Sequence, residues 1–428
     1  MSGTVLVLNS GSSSIRYQVV SPHDGTRLVA GLVERIGETG TRVRHDVGAR
    51  IVERDLSGTD HRNALQSVIE LCAEVGPDLA TAGLVAIGHR VVMGGNTYTQ
   101  PVLIDDRVVA EVERLVPLAP LHNPANLVGI AVARDLFSHL PHVAVFDTAF
   151  FTSLPRVSAT YALDPEVAAQ HGIRRYGAHG TSHRYVSQKA ADVLGRPLGD
   201  IRQIVLHLGN GASASAVDGG LPVDTSMGFT PLEGLVMGTR SGDLDPSVVT
   251  HLIRSGTMTV DEVDDLLNRR SGLKGLSGHN DMREVHRLIA EGDPAAVLAH
   301  GIYVHRIRKY IGAYTAVMGG IDAVTFTAGV GENDPITRAA AIGGLDFLGL
   351  AVDPALNVRR SREARIISPP DTKAAVLVVP TDEELAIARD AITVTDANHP
   401  HLHLAAPPSG RTGTRSQAAT DGVETPRP

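Results

Sequence analysis

Hydrophobic and polar positions along the chain alternate between two periods. Val5 to Leu8 is an apolar run that predicts a buried strand, and Ile15 to Val20 is a second one. Between them, Asn9-Ser-Gly-Ser-Ser-Ser14 is small, turn-forming and rich in hydroxyls, so the two runs form a tight hairpin. Strands are predicted over 4–9, 14–20, about 27–36, about 43–55, 84–87 and 142–146. Further strands are predicted near 173–177, 203–208, 213–218, 322–328 and 374–379. Helical spacing marks 60–75, capped by Thr59 or Asp60, then 105–118, and 123–137 with Pro124 in its first turn. Later helices are predicted near 182–194, 246–255, 260–268, 294–317, 335–342 and 383–392. Strands interleaved with helices at this spacing predict an α/β protein.

The first hairpin has an echo. Val205 to Asp218 again runs strand, Gly/Asn/Ser loop, strand, and Val324 to Asn333 runs from a strand into a Gly-rich loop. Self-similarity of this kind predicts duplicated architecture. Small loops at strand ends leave backbone N–H groups open to an anion, which suits a phosphate. Two such halves predict a nucleotide held between two lobes.

Composition bounds this picture. At 428 residues two domains are expected. A net charge of −8 argues against a dedicated nucleic-acid binder. The single cysteine, Cys72, sits with Leu65, Val68 and Ile69 on an apolar helix face and reads as core. There is no apolar leader and no run long enough for a membrane span, so a soluble, cytoplasmic protein without membrane or nucleic-acid partners is expected. From His399 the chain is Pro-, Gly-, Ser- and Thr-rich without period, and a disordered tail is expected over 399–428.

The chemistry-bearing residues cluster at the loops. Arg90 follows a strand beside Gly94 and Gly95; taken alone it fits a surface ion pair as well as an anion clamp. Asp147 ends a strand, where a turn carboxylate is the plainer reading. Arg174 to His183 packs two arginines, two histidines and two glycines into ten residues. There His179 reads as anion-stabilising and His183 as structural. Arg240 lies in a long loop without helical period, a second clamp candidate, and Asp243 and Asp245 read as helix-start residues. Asp382-Glu383-Glu384 opens the last helix and suits its dipole. Many anion donors and few nucleophiles match what phosphoryl transfer demands.

Nine segments carry a specific resemblance. They are Leu8 to Ser14, Gly88 to Val92, Pro117 to Pro124, Phe146 to Phe150, Arg175 to His183, His207 to Ser213, Gly238 to Asp243, Phe326 to Asn333 and Pro380 to Glu384. In this order, from Val5 to about Ala391, the chain resembles the acetate kinase family of the acetate/sugar-kinase and actin superfamily. The resemblance implies two duplicated ribonuclease-H-like α/β lobes with an active-site cleft between them. The first lobe would span 1–148, completed by a returning helix over 382–396, and the second 149–381. It implies reversible transfer of the ATP γ-phosphoryl group to acetate, giving acetyl phosphate and ADP, with Mg²⁺ or Mn²⁺, in a homodimer. Carried over by motif, Asn9 and Glu383 would hold the metal, Arg90 would grip the carboxylate, and Asp147 would be the catalytic carboxylate. His179 and Arg240 would stabilise the transferring group. Val92, Leu121 and Pro231 would form the acyl pocket. Arg16, His207, Gly209, Asn210, Gly211, Ala212, Ser213, Asp281, Met282, Arg283, Gly329, Val330, Gly331, Glu332 and Asn333 would line the ATP site.

The chain departs from the family pattern in places. Arg16 replaces the usual lysine, Ala178 replaces a phenylalanine, and Met93 and Phe151 stand where histidine is common. The small Ala178 predicts a wider acyl pocket and better use of propionate or butyrate. A kinase for another short carboxylate, or a non-catalytic ATP-binding member of the superfamily, are the alternatives.

Overall fold

A computed structural model describes residues 3–56 and 60–398. The predicted tail over 399–428 and the candidate cap Thr59 lie outside the described residues; Asp60 caps the helix His61–Val75 through its side chain.

Strands β1 (Thr4–Ser10), β2 (Ser14–Val20), β3 (Arg27–Glu34), β4 (Thr41–Val47), β5 (Arg50–Leu56), β6 (Leu84–Val91), β7 (Val102–Leu103) and β8 (His142–Phe146) form one sheet. Its order is β5-β4-β3-β2-β1-β6-β8-β7. Strands β9 (Arg202–Leu208), β10 (Ala212–Asp218), β11 (Leu221–Thr225), β12 (Ala323–Thr327), β13 (Arg365–Ile366) and β14 (Ala375–Val378) form the second, ordered β11-β10-β9-β12-β14-β13. The blocks β3-β2-β1-β6-β8 and β11-β10-β9-β12-β14 share one plan: antiparallel on the hairpin side, parallel beyond it. The duplication read from the loops is therefore a duplication of topology.

Parallel central strands are buried on both faces, which is why Val5–Leu8 and Ile204–Leu206 read as continuous apolar runs rather than alternating ones. The helix Glu383–Asn398 comes back from the second sheet to the first. It lays Leu385, Ile387, Ala388 and Ala391 against Val5, Val7, Ala86, Val143 and Val145. It packs closest at Gly88, where an added Cβ would lie 2.7 Å from Ile387. On the other face, the helix Asn123–Leu136 approaches at Gly129, where a Cβ would lie 2.1 Å from Ser10 Oγ.

Three expected elements differ. The strand expected over 43–55 is two strands hinged at Gly48, whose φ is 59°. The helix expected over 105–118 ends at Arg114, and a 3₁₀ turn Val116–Leu118 follows where Pro117 removes a donor. Residues 173–177 form no strand. That segment is extended but pinned one group at a time: Arg175 N–H donates to Ala159 O (2.8 Å) and Tyr176 N–H to Gly228 O (3.0 Å). Among the described residues no helix is long and apolar enough to cross a membrane.

Candidate active site

The site is assembled where strand ends of the two sheets face one another. Arg90, near the end of β6, sits opposite Val145 of β8, and Asp147 is the first residue after β8. Parallel register thus places the two side chains together across 57 residues of sequence. Arg90 Nε donates to Asp147 Oδ1 (3.0 Å) and Nη2 to Oδ2 (2.5 Å). The Asp147 side chain is 1% exposed. Arg90 Nε also lies 3.7 Å from Glu383, the first residue of the returning helix. Asp147 occupies the Nε/Nη2 edge of the guanidinium, leaving Nη1 as the edge that a substrate carboxylate could meet.

Glu383 is where carboxylates crowd. Burial pushes its carboxyl up to about 7; Arg90 opposes this, and Asp147 and Glu384 add to it. Arg16 also acts on it, and Arg16 is the direct cross-strand partner of Asn9 in the β1–β2 ladder. Arg16, the Lys-to-Arg departure, thus lies opposite Asn9 in the ladder and acts electrostatically on Glu383.

His179 precedes the helix Gly180–Leu194 in a left-handed conformation with φ 60°. Gly180 N–H donates to Asp147 O (2.9 Å), tying the histidine to the end of β8. Gly180 has to be glycine: a Cβ there would lie 2.3 Å from Asp147 O. Burial, then His207, Arg90, His183 and Arg240, holds the His179 imidazole far below its usual range, so it is neutral. Its ring stacks on His207 at 4.2 Å. His183 is fully buried between Ser213 and Ser215, the structural role read from the sequence.

Arg240 differs from Arg90. Its Nη1 reaches Pro231 O (3.4 Å) and Met237 Sδ (3.9 Å), and burial alone lowers its pKa. Among the described residues no carboxylate pairs with this largely buried guanidinium, an arrangement suited to an incoming anion. Arg240 Nη1 and His179 Nε2 converge on Gly211, at 3.5 and 3.6 Å from where its Cβ would be. Asp245 caps the helix Pro246–Arg254, as expected. Asp243 instead anchors the long loop, accepting from Gly234 N–H (2.9 Å) and Tyr310 O–H (3.0 Å) and pairing with Arg306 (3.2 Å).

The remaining predicted residues divide by exposure. Gly209 and Gly211 close a tight loop, with Gly209 N–H donating to Gly211 O (3.0 Å). Asn210 O accepts from Gly238 N–H (2.9 Å), joining this loop to that of Arg240. The Ala212, Ser213 and Met282 side chains are buried, so only their backbone could meet a nucleotide. His207 faces Ser213 across β9–β10, its Nδ1 bonded to Ser182 Oγ (2.8 Å). Asp281 caps the helix Met282–Ala290 and holds Arg283 (2.5 Å), whose side chain is 89% exposed at the rim. The stretch Gly329–Asn333 is not an open loop: Ala328–Asn333 is a short helix that includes Val330 and Gly331. Glu332 is spent internally, accepting from Ala328 N–H (2.9 Å) and Thr381 N–H (3.1 Å). Val92 and Pro231 are half-buried and Leu121 is 43% exposed. Ala178, expected to widen the acyl pocket, is buried in the cluster of the second sheet with Leu206, Met227 and Leu235.

Sequence reasoning missed His122. Burial and the fields of Arg240 and Arg90 lower its pKa, so it stands among the cations of the cleft. Its signal in the sequence was its place in the segment Pro117 to Pro124, just before a helix. A separate groove of about 550 Å³ on the second lobe, lined by Ile336, Ala339, Ile342, Leu350 and Val358, contains none of these residues.

A duplicated α/β fold with a small-residue loop in each half and arginines gathered between the two sheets defines a two-lobed phosphotransferase. Residues 4–389 match the model of the acetokinase family. The acetate kinase of Streptomyces avermitilis is 59% identical over 93% of this chain and 98% of its own length. That of Streptomyces coelicolor is 58% identical over 94% and 100%. Among solved structures, Porphyromonas gingivalis acetate kinase superposes with a TM-score of 0.87 at 42% identity, covering 92% of this chain and 99% of its own. A propionate kinase from Francisella tularensis gives 0.87 at 40%, covering 92% and 100%. The chain belongs to the acetokinase family, and its likeness to enzymes across the whole fold sets aside the reading as a non-catalytic nucleotide binder.

Proposed function

We propose that the protein catalyses reversible, Mg²⁺-dependent transfer of the γ-phosphoryl group of ATP to acetate by direct in-line displacement. One observation carries the reading: Arg90 with its partner Asp147, Arg240, which pairs with no carboxylate among the described residues, and His179 gather at the cleft between the two sheets. Phosphoryl transfer spreads charge over the equatorial oxygens of the transferred group. Arg240 and the His179 Nε2–H would receive that charge. Arg90 would orient the acetate carboxylate through its free edge, with Asp147 fixing the guanidinium plane. The Gly209–Gly211 loop, Asp281, Arg283 and the backbone of Gly329–Asn333 would hold ADP or ATP.

The donor set fits a hard divalent cation: Glu383 and Asn9 offer oxygens, and the raised Glu383 carboxyl marks an excess of buried carboxylate that a cation would relieve. When bound, Mg²⁺ would neutralise charge on the β- and γ-phosphate oxygens. A homodimer working in the cytoplasm belongs to the same reading. A propionate preference, expected from the small Ala178, is the rival.

A coupled assay of ADP release, run with acetate, propionate and butyrate, tests the reading. The highest kcat/KM is expected with acetate, and full dependence on added Mg²⁺ or Mn²⁺. No ADP release with any short carboxylate would refute it. Higher kcat/KM with propionate, reversed by Ala178→Phe, would select the rival.

A further inference from the structure

Behind His179 runs a file of side chains that has no part in the transfer described above. His179 Nδ1 lies 2.9 Å from Ser213 Oγ, the same Oγ lies 2.8 Å from His183 Nε2, and His183 Nδ1 lies 2.7 Å from Ser215 Oγ. Ser213, His183 and Ser215 are all fully buried. The file exists because two periods meet: Ser213 and Ser215 share one face of β10, and His179 and His183 are one helical turn apart.

A hydroxyl carries one proton and a neutral imidazole carries one, so the file has two complete orientations. In the outward one, Ser215 O–H donates to His183 Nδ1, His183 Nε2–H to Ser213 Oγ, and Ser213 O–H to His179 Nδ1. The last proton then sits on His179 Nε2, facing the cleft. In the inward one every bond reverses and Ser215 O–H must find another acceptor. Among the described residues Ser215 Oγ has no partner but His183. A buried donor left without an acceptor is costly, so the inner end selects the outward orientation. The outer end selects it too. His179 Nε2 and Arg240 Nη1 converge at Gly211, where an anion needs donors and a bare lone pair would repel it.

We propose that Ser215, His183 and Ser213 form an oriented hydrogen-bond relay that locks His179 in the neutral Nε2–H tautomer, making it a fixed hydrogen-bond donor rather than a general acid. The proposal deepens the phosphoryl-transfer reading and rests on it for the identity of the anion. Ser213, His183 and Ser215 are positioning residues; only His179 meets the transferred group. The groups facing His179 agree with a neutral ring: His207, Arg90, His183 and Arg240 all oppose a charge on it, and the neighbouring Asp147 carboxylate is taken up by Arg90. His207, stacked on it, is held by its own file through Ser182 Oγ (2.8 Å) to Thr381 Oγ1 (2.8 Å).

The test is the ring itself. The full chain is labelled with ¹⁵N-histidine, and the His179→Gln spectrum identifies the His179 signals. From about pH 6 to about pH 9 a protonated Nε2 and a bare Nδ1 are expected, without titration, across the range where a free histidine changes charge. In Ser213→Ala the single tautomer should be lost and kcat should fall by about ten- to a hundred-fold, with KM for ATP little changed. A His179 protonated on Nδ1, or on both nitrogens, in the unmodified chain overturns the proposal. So does a Ser213→Ala chain that keeps the Nε2–H tautomer. The wild-type spectrum needs no variant to fold and no turnover. Failure of the relay is thus separate from failure of the transfer reading, which an unchanged rate in His179→Ala would reveal.

Discussion

At the scale of single residues, the two arginines of the cleft are alike in the sequence and opposite in the fold. Arg90 is matched by Asp147 and Glu383; among the described residues Arg240 meets a carbonyl and a sulfur and no carboxylate. Removing Arg90 leaves Asp147 buried and unpaired, so Arg90→Ala should damage both folding and turnover. Removing Arg240 relieves a buried cation, so Arg240→Ala should keep or raise Tm while cutting kcat/KM by about 2–4 kcal/mol of transition-state stabilisation. Thermal melts beside steady-state rates check the contrast, and a drop in Tm for Arg240→Ala would contradict it. Neither the Arg90–Asp147 bond nor the missing partner of Arg240 is legible locally, because each depends on what lies opposite at a distance of tens to hundreds of residues. The same holds for Ala178, where the residue is plain but its direction, into the core, belongs to packing.

At the scale of elements, periodicity gave most strands and helices, and it failed where pinning replaces pairing. Residues 173–177 look like a strand because Ile173 and Tyr176 are apolar, yet side-chain and single backbone bonds hold them, among them Arg175 to Thr225 O (3.0 Å) and to Glu233 (2.7 Å). Close approach sets two further tests. A methyl at Gly129 would collide with Ser10 at the first hairpin turn, so Gly129→Ala should cost about 1–3 kcal/mol, read by denaturant unfolding. A buried pair joins β6 to β8: His89 Nε2 lies 3.0 Å from His142 Nδ1, and His142 Nε2 donates to Phe137 O (3.2 Å). Burial lowers the His142 pKa from 6.5 to about 4. A depressed histidine contributes stability that is complete above the unfolded value near 6.5 and is lost as pH falls toward 4. Stability should therefore fall on acidification through this window, by at most about 1.4 kcal/mol per pH unit from this group. His142→Gln should show a shallower slope there, and an identical slope would exclude the residue as a source.

At the scale of the whole molecule, the cleft belongs to neither sheet alone. The helix Glu383–Asn398 brings Glu383 back to Arg90, and Gly180 ties His179 to the end of β8. A ligand bound across such a junction stabilises both halves. ATP at about 100 times its Kd should raise the unfolding free energy by about 2.7 kcal/mol, seen as a higher Tm. ATP without effect on Tm at saturation would mean that the loops do not hold it. The sequence by itself determined the α/β class, the repeated strand–loop–strand plan and the residue types gathered at strand ends. These follow from periods of two and 3.6 residues and from the turn chemistry of Gly, Ser and Asn, all local properties. The tertiary structure alone decided which arginine is neutralised and which is open, that Ser213 turns inward behind His179, and that Glu332 holds backbone. Those outcomes rest on burial and on partners remote in sequence, which set the charge, the tautomer and the direction of a side chain that its neighbours along the chain leave undetermined.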